Sequence, residues 1–170
     1  MQHKYLLLLT ATLVLSGCST RTQHIRPTST LPVFVPTPST AVSMACANHT
    51  DTYISAYSVQ EPRTLGRGMI YALSCHAYEM GNGIVAAGFL FPDQWQPGMK
   101  VKVRWKPSAR DWIEKVTTIK RYDRAGRLYI HFFENDEVRV VSSEFYPTSP
   151  NHPIPQNVTV APPEAIDRDG

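Results

Sequence analysis

The stretch MKVKVRWKP, residues 99–107, decides the fold class. Val101, Val103 and Trp105 alternate in it with Lys100, Lys102, Arg104 and Lys106. Successive side chains on a strand point to opposite faces, whereas a helix brings every third or fourth residue to one side. The apolar side chains on one face need a core, and the cations on the other need water. The stretch therefore predicts a half-buried strand with one solvated face. Its basic row reads first as a solvated surface that keeps a strand edge from pairing. A row of one sign also attracts an acidic protein or anionic headgroups.

The same period recurs on both sides of this strand. In GRLYIHFF (126–133), Leu128, Ile130 and Phe132 alternate with Tyr129, His131 and Phe133. The polar break ENDE (134–137) leads into VRVVSSEFY, so the two runs predict a hairpin. WIEKVTTIKRY (112–122) is rich in β-branched residues and predicts a strand pairing with 100–106. Its phase slips near Lys115–Val116, which a bulge would explain. Upstream, a first strand near 43–48 and the runs TYISAYSVQ, MIYALSCHAY and GIVAAGFLF are further strand candidates, with turns at Gly81-Asn82-Gly83 and Pro97-Gly98. No window supports a long amphipathic helix. The expected fold is all-β: a single small antiparallel β-sandwich or barrel-like domain.

The N-terminus has a different grammar. Lys4 precedes the apolar run Tyr5–Leu15, which has signal-peptide length and is short of the roughly 20 residues that span a bilayer. Leu15-Ser16-Gly17-Cys18 then resembles a bacterial lipobox, in which the cysteine is acylated and becomes the mature N-terminus. Two or more acyl chains anchor a protein stably. Ser19 after the cysteine points by the same resemblance to the outer membrane. Residues 19–41, with Pro27, Pro32, Pro36 and Pro38 among Ser and Thr, have the composition of an extended tether. The expected organisation is a signal peptide over 1–17, a lipidated tether over 18–41, a β-rich domain over 42–153 and a flexible tail over 154–170, the proline-rich run after Tyr146 either lying along the domain surface or disordered.

The chain has 170 residues, a formal net charge of +3 and three cysteines. That charge gives no argument for nucleic acid. With Cys18 taken by lipid, Cys46 and Cys75 remain; in an oxidising periplasm they form a disulfide or stand as two buried thiols. Cys46, His49, Cys75 and His76 are zinc-ligand types, but their spacing is not that of a closed zinc site, and no metal or other cofactor is expected. No nucleophile elbow, zincin helix, phosphate loop or dinucleotide fingerprint occurs. Asp136 and Glu137 read as a solvated turn and His131 as a structural histidine, so no catalytic residue is assigned. Between 100 and 139 the chain carries eleven Lys/Arg against six Asp/Glu. FLFPDQWQP sets Phe89, Phe91 and Trp95 around a turn, either as core or as interface anchors.

NHTDTYISAYSV, then WQPGMKVKVRW, then KVTTIKRYDRAGRLYIHFFENDEVRVVSSEFYPTSPNHP together resemble a family of Gram-negative lipoproteins of unknown function. Its members are often encoded beside antibacterial phospholipase effectors of the type VI secretion system. The resemblance spans roughly 47–153 and is strongest over 95–153. The family's paired mid-domain cysteines are represented here by Cys75 alone. The resemblance implies an immunity protein without catalytic residues. It would be held on the periplasmic face of the outer membrane by its N-terminal lipid, and it would bind and inhibit a cognate phospholipase. The contact candidates are Phe89, Phe91, Trp95, Glu134, Asp136 and Glu137. The alternatives are a structural or accessory lipoprotein of the envelope or secretion apparatus, and a periplasmic enzyme or small-ligand carrier.

Overall fold

The computed structural model describes residues 38–60, 69–72, 74–83 and 85–164. The expected signal peptide, Cys18, the tether as far as residue 37 and residues 165–170 lie outside them. The described residues form eight strands: β1 (Ser39–Asn48), β2 (Ile54–Gln60), β3 (Met69–Ala72), β4 (Ala86–Pro92), β5 (Lys100–Pro107), β6 (Ile113–Thr118), β7 (Arg127–Phe133) and β8 (Glu137–Ser143). They make two sheets, ordered β4-β1-β7-β8 and β3-β2-β5-β6. The fold is all-β and sandwich-like, and it is not a closed barrel. Every strand pair is antiparallel except β1 and β7, which run parallel from Met44↔Leu128 to Asn48↔Phe132.

The alternation in β5 is realised residue by residue. Val101, Val103 and Trp105 are buried, and Lys102, Arg104 and Lys106 lie between them on the outer face. β6 pairs with β5 in unbroken register from Lys100↔Thr118 to Trp105↔Ile113, so the phase slip needs no bulge. Opposite Val103, Lys115 is on the inner side of this edge strand, and its ammonium meets Glu137 of β8 at 2.8 Å. Val116, on the outer side, is 55 % exposed. An edge strand can point a lysine inward because the side chain reaches past the core to a partner at the rim.

Met44 and Cys46 of β1, Tyr57 and Val59 of β2, Phe89 and Phe91 of β4, and Leu128, Ile130 and Phe132 of β7 fill the space between the sheets. β7 is buried on its other face too. Tyr129 and Phe133 pack there with Ala45, Val141 and Ile154 in a second cluster. The cover is the proline-rich segment after β8. Part of the expected tail, 154–164, lies along this face and extends the folded region beyond 153. Gln156 N–H bonds the Pro147 carbonyl at 2.8 Å, and Arg139 Nε donates to the Pro162 carbonyl at 2.7 Å. Proline has its φ fixed in advance, so such a strap loses less conformational entropy on docking than a flexible one. Burying Phe133 and Ile154 beneath it contributes about 1.5–3 kcal/mol each. Gly126, at the entry to β7, has no room for a side chain: a Cβ there would lie 2.6 Å from the Ser143 carbonyl carbon.

The domain also begins earlier than residue 42. Ser39–Val42 pair with Pro92–Phe89 of β4, and Thr40 Oγ1 donates to Asp93 Oδ1 at 2.6 Å. Cys46 and Cys75 are joined by a disulfide with a Cα–Cα distance of 6.1 Å. Because Cys75 pairs with Ile54 of β2 and Cys46 belongs to β1, the bond ties one sheet to the other. Replacing both cysteines by alanine is expected to lower the unfolding free energy by about 3.6 kcal/mol, the chain-entropy value for a separation of 29 residues. Denaturant titration with and without reductant checks it. The wild type should lose that amount on reduction and the double variant nothing further.

Candidate partner-binding groove

One end of the sandwich carries a groove of about 340 Å³. The β1–β2 loop, the β5–β6 loop and the β7–β8 turn surround it. Ile54, Trp105 and Phe132, each nearly fully buried, close its base, with the Trp105 and Phe132 rings 5.7 Å apart. Its rim is polar, formed by Thr50, Thr52, Arg110 and the turn residues Glu134–Asp136.

Asn48 shapes the first wall. It is completely buried, and its amide uses both ends. Nδ2 donates to the carbonyls of Thr52 at 2.8 Å and His76 at 3.0 Å, while Oδ1 accepts from the Thr50 N–H and hydroxyl. A short polar side chain that takes over backbone hydrogen bonds is what a tight loop needs. The β7–β8 turn forms the opposite wall. Asn135 and Asp136 both have φ of 58°. Two successive left-handed residues match the right-handed twist of a hairpin, and Asn and Asp tolerate that region better than most residues. Arg110 closes the rim with a two-pronged bond to Asp136, at 2.6 and 2.7 Å. That bond holds the Asp136 carboxyl below its ordinary range, and hydrogen bonds from Lys115 and Arg139 do the same for Glu137.

Three of the expected contact residues, Glu134, Asp136 and Glu137, thus sit together at this end, with Glu134 exposed. The other three are elsewhere. Phe89 and Phe91 are fully buried between the sheets, because β4 turns both inward after the irregularity at Gly88, and they cannot meet a partner. Trp95 is half-buried against the same core, its indole N–H held by the Ile119 carbonyl at 2.9 Å. The sequence reading passed over Asn48, Thr50 and Arg110. The Asn-x-Thr pattern at 48–50 was a usable loop signal; nothing local marks Arg110, which gains its role from a turn distant in sequence.

A second polar cluster lies under the strap. His131 Nδ1 is 2.8 Å from His49 Nε2, His49 stacks on Phe133 with ring centroids 4.3 Å apart, and His152 Nδ1 is 2.7 Å from the Ile154 carbonyl. His131 is completely buried. Its Nε2 and that of His152 have no hydrogen-bond partner among the described residues. Burial pushes His49 down to about 4 and also lowers His131 and His152. As for the zinc-ligand types, the two thiols are consumed in the disulfide, and His49 is committed to His131.

A family described as "Protein of unknown function (DUF3304)" matches residues 47–140. The chain belongs to this family. The match runs from the end of β1 into β8 and leaves the strap outside it. No curated protein matches the chain. Among solved structures, the "NMR structure of the protein from Eubacterium rectale" is similar over 62% of this chain and 90% of that one, at 12% identity and a TM-score of 0.36.

Two outcomes follow from the geometry. Asn48→Ala strands two carbonyls and a backbone N–H, and is expected to cost about 2–4 kcal/mol, read as a lower denaturation midpoint. The histidines give a pH dependence. Unfolded imidazoles titrate near 6.5 and folded His49 near 4. Between those values the unfolded chain binds protons that the folded chain refuses. Stability therefore falls as pH drops through 6.5 and levels off below the folded value. The paired carboxylates add to this at lower pH, since their contribution is lost as pH falls through their depressed folded values. Urea midpoints from pH 7.5 to 4 check the slope, which His131→Phe should flatten.

Proposed function

We propose that the protein is an immunity lipoprotein, anchored through Cys18 to the periplasmic face of the outer membrane, that binds and inhibits a type VI phospholipase effector. The observation that carries the reading is the groove. Hydroxyls, a guanidinium and a carboxylate converging over a buried aromatic base form a concave site that accepts a polar side chain from a protein partner. The lipobox and the proline-rich tether of the sequence support it, since tethering raises the local concentration of an inhibitor where a phospholipase acts. The resemblance of 47–153 to lipoproteins encoded beside phospholipase effectors supports the partner class. Inhibition by occlusion needs stoichiometric binding and no turnover. A standard interface buries about 800 Å² per partner, which one end of a domain this size supplies.

The test is phospholipid hydrolysis by the lipase encoded beside this gene, with the full chain added in stoichiometric excess. Hydrolysis should stop. Glu134→Lys, at the exposed rim, is expected to weaken binding at least about tenfold, the effect of a 1.4 kcal/mol loss, without moving the melting temperature. Unchanged hydrolysis with the wild-type chain would overturn the proposal.

A further inference from the structure

The outer faces of the two sheets are treated differently. The face of β4-β1-β7-β8 is strapped, while that of β3-β2-β5-β6 carries no strap among the described residues and is exposed at its margins, with Ser58 fully buried near its middle. The register draws its pattern. Tyr71, Ser58, Arg104 and Glu114 form one row across the four strands, and Gln60, Lys102 and Val116 part of the next. Lys100, Lys102, Arg104 and Lys106 run down the middle strand about 7 Å apart, the two-residue repeat of a strand. Glu114 is the one carboxylate of these rows, and it pairs with Lys102 at 3.0 Å. Large apolar side chains stay exposed at both margins: Tyr71 at 64 % on β3, Val116 at 55 % on β6 and Trp112 at 39 % just before β6. The Arg104 guanidinium lies 4.5 Å over the Trp112 ring.

We infer that this face docks on an anionic phospholipid surface. Both a bilayer and an acidic protein would answer its charge, and the composition decides between them. The centre of a protein interface is depleted in lysine and surrounded by a polar rim. Here the order is reversed, with lysines at the centre and aromatics at the margin. Tyr and Trp settle at headgroup depth, and Lys and Arg stems extend along apolar surface while their charges reach phosphate. A cation row of fixed spacing needs no fixed partner pattern when the partner is a fluid sheet of anions. The inference rests on the proposed anchoring for the domain's place beside a membrane. The residues between Cys18 and Ser39 reach about 70 Å when extended, which lets the face meet the bilayer that holds the lipid. Docked in this way, the domain would turn one broad face to the membrane and leave the end groove at the side.

The experiment takes the full chain from membranes of producing cells into vesicles containing brominated phosphatidylglycerol or brominated phosphatidylcholine, and reads tryptophan quenching. The anchor is common to all samples, so the difference reports the face. Quenching should be greater with the anionic lipid, the excess should vanish in Trp112→Phe and in Lys102→Glu/Lys106→Glu, and high salt should reduce it. Equal quenching in both lipids would overturn the inference. So would charge-reversed chain that keeps the excess. If the reversal instead abolishes lipase inhibition with no lipid-dependent quenching, the face belongs to a protein partner and the inference fails. The quenching comparison and the hydrolysis by wild-type chain are separate readouts, so failure of the membrane docking and failure of the inhibition can be told apart.

Discussion

β7 has no face in water, and the rest of the molecule is arranged around that constraint. Its residues from Leu128 to Phe133 are all buried, three toward the partner sheet and three away from it. A strand buried on both faces needs two covers. The partner sheet is one, and the chain builds the other from the residues it has left after β8. The strap is therefore as necessary to the sheet as its neighbouring strands. The same enclosure sets the chemistry beneath it: His131 can be held there only as a neutral imidazole, sharing one hydrogen bond with His49.

Strand periodicity made most of the fold legible. β5 and the β7–β8 hairpin could be read at single-residue resolution because their alternation is strict. What could not be read has physical reasons. Alternation within β7 separates two faces without saying that both are buried, since Tyr, His and Phe suit either a covered or a half-wet surface. The strap was half legible, because a proline-rich run has the same composition whether it lies along the domain or is free. Lys115 looked like a phase error because an inward lysine is intelligible only once Glu137 is known to be across the rim. Phe89 and Phe91 carried a real ambiguity, since core and interface select the same aromatics, and only the inward turn of β4 resolves it.

The groove was half legible. The turn residues announced themselves as a polar break between two strands. The Asn48 hub and the Arg110–Asp136 clamp depend on loops brought together by the sandwich ends. The parallel pairing of β1 with β7 is what brings them there. It ends β1 beside Phe132, so the loop that follows β1 rises at the same end as the β7–β8 turn; His49 N–H bonds the Phe132 carbonyl at 2.8 Å. An antiparallel pairing would have sent that loop to the opposite end and left the turn without a facing wall.

The edges complete the argument. Ile119 bridges to Val140 in parallel, and Lys115 reaches Glu137, so β6 is stitched to β8 along one side of the sandwich. Across the middle, the Cys46–Cys75 bond ties the sheets again. A domain fastened in both places holds its two sheets in a fixed relation. Of its surface, one sheet face is covered by the chain's own strap. Among the described residues, two features stand out on the surface that remains: a concave end, and a flat face with cations at its centre and aromatics at its margins. Their shapes differ as their partners should, since a pocket selects one protruding side chain and a flat basic field selects only charge. A lone apolar patch would have served neither without inviting self-association; the cations set among the exposed Tyr71, Trp112 and Val116 keep that face soluble while leaving it able to bind.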